Sequence, residues 1–210
     1  MNLAEKYRPK ALTDVVGQGR AVNTLTRLAD GGIGGRALWI AGLSGTGKTT
    51  LAMLAASIIA DPFCTEEYDG GELTTATVRE LQRRLAVKGL GKGGRCVIVN
   101  EAHGMRKDVI RSLLTALEPI PAHVLWVFTT TLQGETLFED CLDGSPLISR
   151  CVPIALEHKN LAAPFAERAK AIAAAEGLDG QPIGVYVKLA IDCKLNLRMM
   201  LAKIESGCFL

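Results

Sequence analysis

Apolar residues occur in the first three quarters of this chain as short continuous runs, separated by segments of helical periodicity. Continuous apolar runs predict strands that are buried on both faces of a parallel sheet. The predicted strands lie at 36–41, 96–99, 124–128 and 148–156. The predicted helices lie at 19–30, 49–60, 74–87 and 107–118. Because strands and helices alternate, we expect an α/β fold with a parallel sheet flanked by helices.

Beyond Leu156 the pattern changes to helical periodicity alone, in three segments. These segments are 161–176, 183–192 and 197–206. Gly177 and Gly207 follow the first and the last of them, as glycines often do at helix C-termini. We therefore expect two domains, a larger α/β domain over residues 1–156 and a small three-helix domain over residues 157–210.

The composition excludes several classes of protein. Hydrophobic residues make up 48% of the 210 residues and charged residues 22%, which is typical of a folded chain with a sizeable core. The sequence has no run of 18 apolar residues, and its N-terminus has no apolar signal core, which predicts a cytoplasmic protein with no membrane partner. The six cysteines form no C-x-x-C pair, so we expect neither a zinc site nor a disulfide framework.

The most informative motif is a glycine-rich segment, Gly42-Leu43-Ser44-Gly45-Thr46-Gly47-Lys48-Thr49. Two glycines that bracket four residues before Lys-Thr fit the phosphate-binding loop pattern. Backbone N–H groups of such a loop point at phosphates, its lysine reaches the β- and γ-phosphates, and its threonine hydroxyl binds Mg²⁺. We expect these residues, with Thr50 behind them, to bind ATP and Mg²⁺. The alternative is a glycine-rich turn that fits the pattern by chance.

A second motif follows the apolar run at 96–99. Asn100 and Glu101 occupy the place of the acidic pair at the end of a Walker B strand. In that pair an aspartate holds Mg²⁺ through water and a glutamate activates the attacking water. We expect Glu101 to be the catalytic base and Asn100 to lie beside the metal, where an uncharged amide weakens Mg²⁺ binding. A core strand that ends in polar residues is the alternative interpretation.

These motifs, with others along nearly the whole chain, resemble the clamp-loader branch of AAA+ ATPases. This branch includes the gamma/tau subunit of bacterial DNA polymerase III and the small subunits of replication factor C. The segments that carry the resemblance are Glu5-Lys6-Tyr7-Arg8-Pro9, Asp14-Val15-Val16-Gly17-Gln18, Thr77-Val78-Arg79-Glu80-Leu81, Asn100-Glu101-Ala102-His103, Ser112 to Pro119, Phe128-Thr129-Thr130-Thr131, Leu147-Ile148-Ser149-Arg150-Cys151 and Leu197-Arg198-Met199-Met200-Leu201. The resemblance implies a P-loop NTPase module of the AAA+ type, followed by a helical lid domain.

The resemblance also implies roles for single residues. The adenine pocket would be lined by Tyr7, Arg8, Pro9, Val15 and Val16. Arg150 would be an arginine finger that acts on ATP in a neighbouring subunit, and Arg198 would couple lid closure to the phosphates. Thr131, with Thr130 next to it, would position water against the γ-phosphate. Without the resemblance, the two arginines are ordinary surface residues and the threonines reflect β-propensity. His103 is expected to be a turn or packing residue.

The expected function is that of an ATP-hydrolysing AAA+ subunit that acts in replication on a sliding clamp, on DNA or on both, within an oligomer of AAA+ subunits. Two alternatives stay open: an ATP-binding structural subunit with little hydrolysis, which Asn100 favours, and a helicase-loader or mobile-element AAA+ protein. The chain departs from the family at Asn100 and in lacking a zinc-binding insert, and we expect it to lack the family's collar domain, since the sequence stops at Leu210. Basic residues at 79–95 and 106–111 are candidates for DNA contact or simply a solvated surface, and residues 132–144 predict an acidic loop.

Overall fold

A five-stranded parallel sheet forms the centre of the computed structural model, which describes residues 2–131 and 144–207. Its strands are β1 (Arg36–Ala41), β2 (Thr65–Asp69), β3 (Arg95–Asn100), β4 (Val124–Thr130) and β5 (Val152–Ala155). Their order across the sheet is β2-β3-β4-β1-β5, and every neighbouring pair is parallel. The predicted α/β fold is therefore confirmed, and the carboxyl ends of all these strands meet at one edge.

Helices flank the sheet on both faces and make up the C-terminal part of the described chain. Their bounds are α1 (Leu3–Lys6), α2 (Gly19–Asp30), α3 (Lys48–Ile59), α4 (Thr75–Leu85), α5 (Lys107–Ala116), α6 (Gly144–Ser149), α7 (Ala162–Ala175), α8 (Ile183–Asp192) and α9 (Leu197–Glu205). The predicted bounds of α2 and α8 are confirmed to the residue. The other predicted helices are present with ends that differ by one or two residues.

The core consists of three clusters of buried side chains. The first lies between the sheet and helices α4 and α5, and it includes Trp126 and Phe128. The second lies on the opposite face, under α2 and α3, and includes Ile98 and Val127. All of β4 is buried because this central strand is covered on both faces. The third cluster joins α7, α8 and α9 to α1 and Val16. The division into two domains at residue 156 stays a prediction.

The strand prediction was wrong at residues 148–151. Ile148 and Ser149 belong to α6, and β5 begins only at Val152. The Ser149 hydroxyl and the Arg150 guanidinium both donate to the Pro146 carbonyl, at 2.9 and 3.0 Å. The backbone N–H groups of Arg150 and Cys151 donate to the Leu147 and Ile148 carbonyls and close a helical turn, so the apolar residues of this segment pack from a helix before the chain joins the sheet.

The polar strand β2 and the short helix α1 carry no apolar pattern, and the sequence did not predict them. β2 has the sequence Thr-Glu-Glu-Tyr-Asp and pairs with β3 on one side only. Charged residues are common on such edge strands because one edge faces solvent. α1 spans four residues and is capped by Asn2, whose side chain accepts from the Glu5 N–H. The acidic loop predicted at 132–144 lies outside the described residues, except for Gly144.

Two further findings concern the described residues as a whole. They contain no helix that is long and apolar enough to cross a membrane. Their cysteines are buried free thiols, at Cys64, Cys96, Cys151 and Cys193. Burial raises the pKa of the Cys151 thiol to about 12. A thiol with this pKa stays protonated at neutral pH, so Cys151 acts as a packing residue.

Gly34 lets two segments approach closely and provides a test of the fold. A Cβ at this position would lie 2.0 Å from the Ala122 carbonyl oxygen and 2.7 Å from Cδ1 of Ile59. We expect Gly34→Ala to lower the free energy of unfolding by about 1–3 kcal/mol, the usual cost of overpacking, as measured by urea denaturation. Gly184→Ala in the first turn of α8 is the matched control, because its Cβ would meet nothing within 4 Å. Equal stability of the two variants would contradict this packing.

Candidate functional site

A cleft of about 370 Å³ opens where the loop after β1 meets the N-terminal segment and helices α7 and α9. The N-terminal segment contributes Tyr7, Arg8, Pro9, Asp14, Val15 and Val16. The loop contributes Ser44, Gly45, Thr46, Gly47, Lys48, Thr49 and Thr50. The helices contribute Phe165, Arg168, Ile172, Leu197, Arg198 and Leu201. The residues predicted for the adenine pocket and most of the predicted phosphate loop thus surround one cleft, whereas Gly42 and Leu43 do not line it.

The backbone of the glycine-rich loop requires glycine at two positions. Gly45 and Gly47 have φ angles of 76° and 105°, in the left-handed region that residues with a side chain rarely adopt. Gly47 is also the N-cap of α3, so the unpaired N–H groups of the first helical turn follow it directly. The loop therefore presents backbone donors at a helix N-terminus, an arrangement that favours the binding of phosphate.

Lys48 is the first residue of α3 and is buried, with 7% of its surface exposed. Its Nζ donates to the Leu43 carbonyl at 3.1 Å. Burial lowers the pKa of Lys48, the Glu101 carboxylate raises it in part, and the Arg198 guanidinium lowers it further. The ammonium group is thus poorly solvated and lies within the electrostatic reach of both neighbours. An anion in the cleft would stabilise the charged form of Lys48.

The buried amide of Gln18 attaches the loop to the rest of the molecule; 1% of this residue is exposed. Its Nε2 donates to the carbonyls of Thr46 at 3.3 Å and Glu157 at 3.1 Å. Its Oε1 accepts from the Glu157 N–H at 2.7 Å. One side chain therefore joins the start of α2, the glycine-rich loop and the segment between β5 and α7. The amide donors and acceptor all have partners, as burial requires.

The N-terminus of α9 packs directly against the loop. Asn196 caps this helix by accepting from the Met199 N–H at 3.1 Å. A Cβ on Gly45 would lie 2.0 Å from Oδ1 of Asn196, so the contact, like the backbone angle, requires glycine at position 45. This packing places Arg198, the second residue of α9, at the wall of the cleft.

Glu101 follows β3 and lines the cleft in a left-handed backbone conformation, with a φ of 48°. Such a conformation costs free energy in a residue with a side chain and is common at functional sites. Its Oε2 accepts from the Thr131 hydroxyl at 3.4 Å and lies 3.4 Å from Nδ1 of His103. The same His103 nitrogen lies 3.3 Å from the Thr130 hydroxyl. The structure thus brings the predicted catalytic residues Glu101, Thr130 and Thr131 together, with His103 between two of them.

Asn100 is held at the end of β3 by residues of the two neighbouring strands. Its Nδ2 donates to Oε2 of Glu67 on β2 at 3.2 Å, and its Oδ1 accepts from the Thr129 hydroxyl on β4 at 3.0 Å. Asn100 is not among the residues that line the cleft, whereas the residue that follows it is. The predicted metal-binding amide is therefore engaged with protein partners on both of its atoms.

The oxygen groups at the cleft fit Mg²⁺, which prefers hard oxygen ligands and keeps several waters. The Thr49 hydroxyl and the Glu101 carboxylate both line the cleft. Within residues 2–131 and 144–207, no group of three His, Cys, Asp or Glu side chains could hold a metal ion alone. A metal here would therefore share its coordination with phosphate oxygens, as Mg²⁺ does in P-loop NTPases.

Arg150 lies after α6 and does not line the cleft of its own chain. Its guanidinium donates to the Glu118 carboxylate and to the Pro146 carbonyl, both at 3.0 Å. About a third of the side chain, 34%, is exposed. The predicted arginine finger is therefore a surface residue that forms an ion pair within its own chain.

Sequence reasoning missed several residues that shape or support the cleft. Phe165, Arg168 and Ile172 belong to α7. The apolar pattern of this segment predicts a helix, but it does not indicate which side chains face the cleft. Gln18 and Glu67 contact residues that lie 139 and 33 positions away in the sequence. No local motif signals such contacts, because the fold creates them.

The parallel sheet and the glycine-rich loop between β1 and α3 give the described residues the α/β fold of P-loop NTPases. The solved structure of the RuvB Holliday junction branch migration motor of Thermotoga maritima matches 95% of this chain and 64% of its own, with a TM-score of 0.72 and 21% identity. At this identity the likeness establishes the fold. No protein-family model matches the chain.

Similarity in sequence is more specific. The gamma subunit of DNA polymerase III from Buchnera aphidicola is 28% identical in an alignment of 180 positions that covers 74% of this chain and 47% of that protein. The replication factor C small subunit of Methanosphaera stadtmanae is 26% identical in an alignment of 182 positions that covers 84% of this chain and 54% of that protein. The chain thus spans about half the length of these relatives. They are the two kinds of protein that the motifs resemble, so the predicted resemblance is confirmed.

Gln18 provides a test of how the cleft is held together. Gln18→Leu keeps a similar volume but leaves the Thr46 and Glu157 carbonyls and the Glu157 N–H without this partner. Each buried polar group that loses its partner costs about 1–3 kcal/mol. We therefore expect the free energy of unfolding in urea to fall by at least about 2 kcal/mol. Gln82→Leu on α4 is the matched control and should change it by less than about 0.5 kcal/mol. Similar stabilities of the two variants would contradict the proposed bridge.

Proposed function

We propose that this chain is an ATP-binding and ATP-hydrolysing AAA+ module that resembles a DNA polymerase clamp-loader subunit and acts on a sliding clamp, on DNA or on both. One observation carries the proposal: a glycine-rich loop at a helix N-terminus, a buried lysine and a glutamate converge on one cleft. The similarity to DNA polymerase III gamma and replication factor C small subunits supports the clamp-loader part.

ATP would bind with its phosphates on the loop and its adenine toward the N-terminal segment. Backbone N–H groups at the start of α3 and the Lys48 ammonium would contact the phosphates. The negative charge would offset the desolvation that lowers the pKa of Lys48. Tyr7, Val16 and Phe165 line the same cleft and offer apolar surface to a purine ring. Arg198 would sense the phosphates from α9.

Glu101 is the proposed base for the attacking water. The Thr131 hydroxyl and the His103 ring contact its carboxylate and would hold it in one orientation. Mg²⁺, held by the Thr49 hydroxyl near Asn100, would stabilise the charge on the phosphate oxygens when it is bound. Glu101 would then accept a proton from water, since a carboxylate within hydrogen-bond reach of the nucleophile can act as its base.

Arg150 is the proposed arginine finger for ATP bound to a neighbouring subunit. It lies outside the cleft of its own chain and pairs with Glu118 at the surface. Exposed ion pairs contribute little to stability. The guanidinium can therefore exchange Glu118 for a phosphate at small cost when a second AAA+ subunit docks. The proposed active form is accordingly a homo- or hetero-oligomer.

Asn100 favours a second candidate function, an ATP-binding structural subunit that hydrolyses little and lends Arg150 to a neighbour. The two candidates differ in steady-state ATP hydrolysis, measured with and without primed DNA and a sliding clamp. A motor subunit should hydrolyse ATP faster when both are present. A structural subunit should bind ATP and show no such stimulation unless a partner subunit is added.

Basic residues on α4 are the candidates for DNA contact in this proposal. Arg79 and Arg83 are exposed on this helix. Arg84 pairs with Glu66 of β2 at 3.0 Å, so part of its charge is already balanced. Contacts of this kind neutralise phosphates without reading the sequence, and they weaken as salt rises.

Nucleotide binding is tested most simply at Lys48. Hydrogen bonds to a charged group contribute about 1.5–3 kcal/mol, so Lys48→Ala should weaken ATP binding about 10- to 100-fold in calorimetric titration. Lys188→Ala, on the exposed side of α8, is the control and should leave the affinity unchanged. Unchanged ATP affinity in Lys48→Ala would contradict the assignment of the phosphate loop.

Catalysis across a subunit interface predicts complementation between two inactive variants. Glu101→Gln should bind ATP and hydrolyse it poorly, because an amide cannot accept the proton from water. Arg150→Ala should bind ATP in its own cleft and lose about 10³–10⁵ in turnover, the usual effect of removing an arginine finger. A mixture of the two at high protein concentration should recover part of the activity, because some interfaces then contain an intact Glu101 and an intact Arg150.

The control for this experiment is Arg27→Ala, which removes an exposed arginine of α2 and should keep full activity. Hydrolysis should also fall more steeply than protein concentration on dilution. Activity that stays proportional to concentration, with no recovery in the mixture, would contradict catalysis by neighbouring subunits.

A further inference from the structure

The contact between Asn100 and Glu67 has a consequence for the metal beside the phosphate loop. Both residues lie on the sheet face that packs against α3. Glu67 is the partner of Ile98 in the pairing of β2 with β3, and Ile98 packs in the core cluster under α3. Asn100, two residues beyond Ile98 on the same strand, faces the same way. The helix on this face begins with Lys48 and Thr49.

The two hydrogen bonds of Asn100 fix which way its amide points. Only the amide nitrogen can donate to the Glu67 carboxylate, and only the amide oxygen can accept from the Thr129 hydroxyl. The oxygen therefore points toward β4, which lies between β3 and β1. The phosphate loop follows β1, so the one atom of Asn100 that can serve a hard cation is held on the loop side.

The carboxylate that is missing at position 100 is present one strand away. Glu67 places its charge within hydrogen-bond distance of the Asn100 nitrogen, and Asp69 is the direct partner of Asn100 in the strand pairing. An aspartate at position 100 would face the Glu67 carboxylate at the same distance. Two carboxylates at hydrogen-bond distance repel each other, which disfavours an aspartate at position 100.

We propose that Glu67 is a positioning residue for the metal of the phosphate-loop site. It orients the Asn100 oxygen toward that metal. Its carboxylate also polarises the amide, which makes the Asn100 oxygen more negative and partly replaces the charge of an aspartate. The inference rests on the proposed binding of Mg²⁺ and ATP in the cleft. It explains why an amide is suited to position 100 in this chain, and it makes the effect of changing position 100 depend on Glu67.

The test is a cycle of four proteins: the parent chain, Glu67→Gln, Asn100→Asp, and the variant with both substitutions. Affinity for the metal is measured directly, by titrating Mn²⁺ into protein saturated with a non-hydrolysable ATP analogue and following the free ion by electron paramagnetic resonance. Substituting a residue that orients a metal ligand typically weakens metal binding about 10- to 100-fold. We therefore expect Glu67→Gln alone to weaken Mn²⁺ binding by about 10-fold.

Glu67→Gln should have the opposite effect on Mn²⁺ affinity when position 100 is already an aspartate. Asn100→Asp alone should bring little gain, because the new carboxylate faces Glu67. Adding Glu67→Gln to Asn100→Asp should strengthen Mn²⁺ binding, because the repulsion disappears. Glu66→Gln is the matched control: Glu66 is the neighbouring residue of β2 on the opposite face, pairs with Arg84, and should leave Mn²⁺ affinity unchanged.

Two further measurements separate the possible failures. Binding of the ATP analogue in EDTA tests the proposed function alone, and no binding by the parent chain would overturn both the function and this inference. If the analogue binds normally in EDTA, two results would overturn the role of Glu67 only. One is an unchanged Mn²⁺ affinity in Glu67→Gln, and the other is independent effects of the two substitutions on that affinity. Urea denaturation of each variant detects a merely structural role, which would lower stability and leave the Mn²⁺ affinity as it is.

Discussion

The hydrogen bonds of the buried Gln18 amide are the interaction on which the arrangement of the cleft depends. Three bonds from this side chain join the glycine-rich loop to Glu157, where the chain leaves the sheet for the helices α7 to α9. Because the amide is buried, each unmade bond would leave a polar group without solvent or partner. Gln18 therefore fixes the glycine-rich loop relative to the segment that connects β5 to α7.

The contact of α9 with Gly45 adds to this constraint. A Cβ on Gly45 would clash with the Asn196 side chain, and Arg198 lines the cleft from the first turn of the same helix. A nucleotide that binds the loop would thus also meet α9. The poorly solvated Lys48 ammonium interacts electrostatically with Glu101 and Arg198, so the binding of phosphate would change the environment of the proposed catalytic and sensing residues at once.

The sequence predicts the fold well where local pattern and tertiary burial agree. β1, α2 and α8 have the predicted bounds because their apolar positions match the period of the element that forms. β2 was missed because an exposed edge strand can be polar. Ile148 was placed in a strand because a short apolar run does not distinguish a strand from a buried helical turn.

The candidate site shows the same division. The glycine-rich loop and Glu101 can be predicted from the spacing of residues in their motifs, because that chemistry depends on neighbours in the sequence. The surroundings of Asn100 do not, because Glu67 and Thr129 come to it from two other strands. A departure from a family motif can thus be interpreted only when the groups that face it in space are known.

One nucleotide should contact the loop, the N-terminal segment and the start of α9 at the same time. Amide hydrogen exchange of the full chain, with and without ATP and Mg²⁺, measures all of these regions in one experiment. We predict slower exchange at 7–16, 43–51 and 196–201, with the same half-saturating ATP concentration in each. Protection of the loop alone, or unchanged exchange in all of them, would contradict a single nucleotide site built from these segments.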